Sequence, residues 1–208
     1  MKITTFVKGP IDANNYLLVD EETNEAVLID CSSAEESYIN EIKQSGVNLK
    51  YILLTHGHFD HVLGVDKFKK VFGTDVYVSK EDLSQVKLVP DMMQMFAGMV
   101  PVNISDINKF VADGDEFFIG KTKIKAIATP GHTQGGICYF TGNSLFSGDT
   151  LFQGSVGRCD LLDGDFKQIT ESIKNKLFSL PDDVVVYPGH GPKTTIGYEK
   201  KYNEIVNL

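Results

Sequence analysis

Hydrophobic positions along the chain follow two rhythms, one of period two and one of helical spacing. Residues 3–7, 15–19 and 26–30 read as short strands, separated by Gly9-Pro10 and by the polar turn Asp20–Asn24. Ser33-Ala34-Glu35-Glu36 has the spacing of a capping box and predicts a helix running to Gly46. An apolar run at 51–54 predicts a buried strand, and Val62, Val65, Phe68 and Phe72 then recur at helical spacing up to Gly73. A strand at 75–78 leads into a second helix-start signal, Ser79–Asp82.

The second half has the same texture. Strands are predicted at 115–119, 122–128, 137–141 and 144–147. Asp165 is placed to cap a helix carrying Phe166, Ile169, Ile173 and Leu177 on one face. A strand at 184–187 follows, and Tyr198, Tyr202 and Ile205 mark a closing helix. Strands followed by helices in each half predict an α/β protein, with two sheets packed face to face between outer helix layers.

Residues 83–103 break the rhythm. Met92, Met93, Met95 and Met99 all fall here beside Phe96, between Pro90 and Pro101. Flexible thioethers can fill an irregular core gap, or form an adaptable apolar wall over a substrate.

Composition narrows the classes. The 208 residues, 42% of them hydrophobic, suffice to bury one large core or two small ones. A net charge of −8 argues against nucleic acid or an anionic membrane as partner. Met1–Lys8 holds no apolar run of signal-peptide length, and no stretch reaches transmembrane length. Cys31, Cys138 and Cys159 form no CxxC and cannot pair evenly. The expectation is a cytoplasmic protein with free thiols.

The chemistry concentrates in Thr55-His56-Gly57-His58-Phe59-Asp60-His61, on the loop between a strand and a helix. Three of the chain's five histidines lie in this heptapeptide. The other two, His132 and His190, each follow a Pro-Gly turn after an apolar run. Asp149 stands at the end of a further strand, in Ser147-Gly148-Asp149. Imidazole and carboxylate together suit zinc, iron or manganese rather than calcium. His56, His58, Asp60, His61, His132, Asp149 and His190 are too many ligands for one tetrahedral zinc, and suffice for two divalent ions. Two adjacent cations lower the pKa of a shared water enough to give hydroxide at neutral pH, which predicts metal-assisted hydrolysis.

With these residues in view, the sequence resembles the metallo-β-lactamase-fold superfamily. Asp30 after an early strand, HxHxDH at 56–61, then His132, Asp149 and His190 stand in that family's order. The resemblance implies a four-layer αββα sandwich of two mixed sheets, formed as a single domain over 1–208. It implies His56, His58 and His132 on one metal, Asp60, His61 and His190 on the other, and Asp149 bridging. Asp60 and Asp149 would position the attacking hydroxide, and Asp30 would order the loop behind the ligands. The metals implied are zinc, or iron or manganese.

Thr129–Thr133 with Ile137–Phe140, Gly148–Phe152, Gly157–Asp160 and Pro188–Gly191 with Thr194–Gly197 are similar to the glyoxalase II (hydroxyacylglutathione hydrolase) group. Only eighteen residues follow His190, so the resemblance is to a short branch without the C-terminal glutathione-binding helical domain. The implied substrate is a small-molecule thioester such as S-lactoylglutathione. A persulfide dioxygenase with one iron, of the same fold, is the alternative. A true β-lactamase is disfavoured by the complete His58-x-Asp60-His61 set. Arg158, the sole arginine, can either bind a substrate carboxylate or tie Asp160 in place. Cys159 stands where the group usually has Thr or Ser.

Overall fold

In the computed structural model, which describes residues 1–105 and 107–207, the runs of the first half form one six-stranded sheet. Its strands are β1 (Lys2–Lys8), β2 (Ala13–Val19), β3 (Glu25–Ile29), β4 (Asn48–Leu53), β5 (Asp75–Val78) and β6 (Lys109–Phe110), side by side in that order. β2 pairs antiparallel with both β1 and β3, and β3 through β6 are parallel. β1, β3, β4 and β5 therefore point the same way. The segments that follow them, beginning at Gly9, Asp30, Leu54 and Ser79, leave from one edge of the sheet.

This sheet belongs to the first of two compact units, Met1–Phe110 with Phe118–Thr122. Helices α1 (Glu36–Gln44), α2 (Phe59–Val62) and α3 (Val65–Phe72) supply Tyr38, Ile39, Ile42, Val65 and Phe68 to a core shared with Leu28, Ile52 and Val76. Each such buried side chain contributes roughly 1.5–3 kcal/mol of transfer free energy. Tyr38 sits between rings, 5.1 Å from Phe6 and 5.2 Å from Phe68 by centroid.

The expected capping box does not form. α1 begins at Glu36 with Glu35 at its N-cap and no side-chain cap bond. Ser33 instead accepts the Glu35 amide at 3.2 Å, and its carbonyl packs on Gly64. The Met-rich stretch is helical at first, as α4 (Leu83–Lys87), α5 (Val89–Met92) and a π-type turn over Met93–Ala97. Met93 is buried in the core, as the gap-filling role expects, whereas Met95 is 76% exposed.

The second unit is Val111–Phe117 and the chain from Lys123 on. Its mixed sheet runs β14 (Thr194–Thr195), β13 (Val185–Pro188), β10 (Ser144–Gly148), β9 (Ile137–Thr141), β8 (Thr122–Ala128), β7 (Glu116–Ile119). The tip of the β7–β8 hairpin groups with the first unit. β10 and β13 are parallel neighbours, with a register irregularity between Phe146 and Gly148. A short ribbon, β11 (Leu151–Phe152) with β12 (Ser155–Val156), follows β10.

α6 (Phe166–Ser172) is capped as expected, Asp165 accepting the Gln168 amide at 2.9 Å. Ile169, Ile173 and Leu177 are fully buried, but Phe166, expected on the same face, is 49% exposed because it lies in the first turn beside the cap. The closing helix is two pieces, α7 (Ile196–Tyr202) and α8 (Glu204–Asn207), parted at Asn203. Ile196 and Val206 are buried, whereas the Tyr198 and Tyr202 rings pack against each other at a tilt outside. Between them the buried Glu199 accepts from Thr194, Asn203 and the Gly154 amide. Among the described residues, no helix is long and apolar enough to cross a membrane.

Candidate metal centre

In the first unit the heptapeptide leaves β4 at the sheet edge where β3 also ends, and Asp30, just past β3, organises it. Asp30 holds a left-handed backbone, φ +61°, uncommon outside glycine and found at sites the surroundings over-determine. Its carboxylate accepts from the Thr55 amide at 2.7 Å, the Thr55 hydroxyl at 2.8 Å and His61 Nδ1 at 2.9 Å. The Cys31 amide donates to the His61 carbonyl at 2.8 Å, tying the two loops a second time.

These bonds fix tautomers. A carboxylate only accepts, so His61 carries a proton on Nδ1, which leaves Nε2 as the ring nitrogen turned toward Asp60. Thr55 gives its single hydroxyl proton to Asp30, so toward His56 Nδ1, 3.0 Å away, it must accept. His56 is thereby left with Nε2 as its lone pair. The His56 ring lies 4.8 Å from His58 and 4.2 Å from His61 by centroid, and Asp60 Oδ2 is 3.2 Å from His61 Nε2. His56, His58, Asp60 and His61 are all at most 4% exposed. Buried imidazoles oriented from behind by a carboxylate or hydroxyl are the usual setting of metal-ligating histidine.

Gly57 lets the loop close down. A Cβ there would stand 2.7 Å from the Asp82 carbonyl, and the Gly57 amide donates to the buried Asp82 carboxylate at 2.8 Å. Asp82 was expected only as part of a helix start. Its contact with the metal loop was not read from the sequence, nor was the bonding of Thr55, which was seen only as the first residue of the motif. Asn15, which sequence reasoning missed, exchanges bonds with Ser32 of 2.6 and 2.7 Å to pin the segment after Asp30.

In the second unit His132 follows β8, Asp149 follows β10 and His190 follows β13. Asp149 Oδ2 faces His132 Nε2 at 3.6 Å and His190 Nε2 at 3.8 Å, longer than hydrogen bonds and suited to donors grouped around a cation. His132 Nδ1 donates to the Arg158 carbonyl at 2.7 Å, which again leaves Nε2 as the lone pair. The Phe152 ring stands edge-on to His190 at 6.4 Å. Gly157 is required by close approach, since a Cβ there would lie 2.9 Å from His132 Nδ1 and 1.8 Å from the Asp149 carbonyl.

The Arg158 guanidinium grips Asp160 with two bonds of 2.7 and 2.8 Å, and these hold the Asp160 carboxyl down to about 2. Burial pushes the Cys159 thiol up, as do the carboxylates of Asp165 and Asp160. Burial also raises Cys31, and takes Cys138 to about 11. All three therefore stay protonated at neutral pH and are poor nucleophiles.

Comparison with known proteins identifies the family. Residues 9–190 match the metallo-beta-lactamase superfamily. The hydroxyacylglutathione hydrolase GloC of Haemophilus influenzae is 36% identical over 203 residues, 93% of this chain and 92% of that protein. Among solved structures, the BLEG-1 B3 metallo-beta-lactamase superposes with a TM-score of 0.91 at 32% identity, covering all of both chains. TTHA1623, solved in a di-iron-bound form, superposes at 0.86 with 33% identity over 96% of this chain and 98% of its own.

Proposed function

The chain belongs to the metallo-beta-lactamase superfamily, and from that premise we propose that it is a binuclear metal-dependent hydrolase that cleaves a thioester such as S-lactoylglutathione. The observation that carries this reading is the set of fixed tautomers. His56, His61 and His132 each have Nδ1 held in a hydrogen bond, so that a metal would be met by Nε2. His56, His58 and His132 would hold one ion, Asp60, His61 and His190 the other, with Asp149 shared. Zinc is the ion we propose, and iron is the competitor because TTHA1623 was solved in a di-iron-bound form. When bound, such ions activate water and polarise a carbonyl oxygen.

The chain's own residues do the rest. Asp30 and the Arg158 carbonyl hold the histidines in orientation from behind. Asp60 and Asp149, each with a carboxylate oxygen facing a histidine Nε2, position the attacking water. With these side chains engaged as ligands, the described residues of the site offer no dedicated proton donor for the leaving group. A thiolate, whose conjugate acid has a pKa near 8.5, departs without one, whereas an amine does not. GloC, by its name a hydroxyacylglutathione hydrolase, supports the same substrate class. The likeness to BLEG-1 favours β-lactam hydrolysis as a second reading.

The test is to strip the protein of metal, reload it separately with zinc, iron or manganese, and assay S-lactoylglutathione beside a cephalosporin. Metal-restored thioester turnover with two ions per chain is expected. Full activity in metal-free protein would sink the proposal. Turnover of the cephalosporin alone would replace it with the second reading. Oxygen uptake with a glutathione persulfide and one iron per chain would assign the protein to dioxygenases.

A further inference from the structure

A cavity of about 490 Å³ opens in the first unit, walled by Pro10, Leu63, Met93, Met99 and Val102. Its walls come from the same sheet edge as the metal loop. Pro10 lies in the turn after β1, and Ser32 to Glu35, also at its rim, follow Asp30 after β3. Leu63 stands two residues beyond His61, directly after α2. The layer beneath is tight. The Gly64 amide donates to the Cys31 carbonyl at 2.7 Å, and a Cβ on Gly64 would meet the Ser33 carbonyl at 2.4 Å. Asp30, which orients His61, and the cavity rim are thus consecutive stretches of one loop. Ligands in α/β sheets bind outside the carboxyl ends of the strands, and this cavity is at that end.

The wall is apolar and adaptable. Met93 is 1% exposed and forms the floor, while Met99 and Val102, 39% and 48% exposed, flank the mouth. The segment bearing these two has no regular structure after the left-handed Gly98. At its far end Ser105 ties it to Asp66, through its amide at 3.1 Å and its hydroxyl at 3.0 Å. Held at both ends and irregular between, it can shift its side chains around a flexible guest. Thioether-rich walls of this kind adjust to chains of differing shape. The volume is within the range of small-molecule pockets.

We propose that this cavity takes an unbranched apolar acyl chain of the substrate, so that the chain's preferred thioesters are longer and less polar than lactoyl. The proposal deepens the thioesterase reading and rests on it, but its test does not depend on turnover. The probes are S-methyl to S-hexyl thioethers of N-acetylcysteamine, which cannot be hydrolysed, added to metal-loaded protein carrying 13C-methyl methionine. Each added methylene should tighten Kd about fourfold, and the methyl signals of Met93 and Met99 should shift while that of Met1 stays. Ala34→Trp, an exposed position at the mouth, should flatten the dependence on chain length without disturbing the core. Equal affinity for methyl and hexyl probes, or affinities that rise with length while Met93 and Met99 do not respond, would overturn the assignment. Failure of the thioesterase reading would appear separately, as no turnover of any acyl thioester.

Discussion

Asp30 concentrates the most consequence in one side chain. Three donors converge on a carboxylate that is 1% exposed, and all three belong to the heptapeptide that carries four ligand candidates. Asp30→Ala would strand buried donors and should cost about 3 kcal/mol in urea unfolding. It should also weaken zinc binding roughly 10–100-fold by freeing the His61 ring. Asp30→Asn separates orientation from backbone strain, because asparagine tolerates the same left-handed conformation. Its one oxygen cannot accept all three bonds, and its NH2 would face a donor in either orientation, so zinc affinity should still fall. Wild-type affinity in Asp30→Asn would show that the carboxylate does not orient His61. The histidines and Asp149 could be singled out in the sequence because such side chains at strand ends suit metal chemistry. The contacts of Thr55, Asp82 and Gly157 could not, because a threonine, an aspartate at a helix start and a loop glycine have many uses. Only the fold puts their atoms against the site.

At the scale of elements, the strands came through best. The alternating runs at 122–128 and 137–141 coincide with β8 and β9. Helix starts failed where a local signal met a stronger tertiary demand, as at Ser33, whose carbonyl is held against Gly64 rather than freed to begin a helix. The docking of the β7–β8 tip was invisible, since it depends on residues about a hundred positions apart. Glu25 accepts the Gly120 amide at 2.7 Å and Asp20 accepts the Thr122 hydroxyl at 3.1 Å. The Gly120 amide holds the Glu25 carboxyl below its ordinary value, and the Thr23 amide does the same for Asp20. A carboxyl depressed in the folded state stabilises it above the unfolded pKa, and that contribution is lost as pH falls through the folded value. The tip should therefore stay docked at pH 5 and loosen only once the pH falls below the ordinary carboxyl range. In an NMR titration the Gly120 amide shift should follow Glu25 with a midpoint below 4.5. A midpoint at or above that value would mean that the contact is not formed in solution.

For the whole molecule, pattern gave the α/β class and two sheets, while strand order within each sheet was beyond its reach. The parallel neighbours β3 with β4 and β10 with β13 are joined through helices or long excursions, and nothing local in sequence specifies such pairings. Those pairs matter because Asp30 and the heptapeptide leave one of them, and Asp149 and His190 leave the other. A chain that buries so many imidazole and carboxylate groups bears a desolvation cost unless they are compensated. Cation binding to the folded state alone would offset it through mass action. At a free ion concentration about a thousand times Kd, each site adds about 4 kcal/mol to unfolding stability. Chelation should therefore lower the urea midpoint, and zinc titrated back should restore it in step with occupancy. The effect should weaken below about pH 6, because protonated histidine cannot bind metal and the fixed Nε2 lone pairs would be lost. A urea midpoint insensitive to chelator, in protein shown by elemental analysis to have been loaded beforehand, would mean that these buried side chains are compensated by their own hydrogen bonds and that the metal adds nothing to the fold.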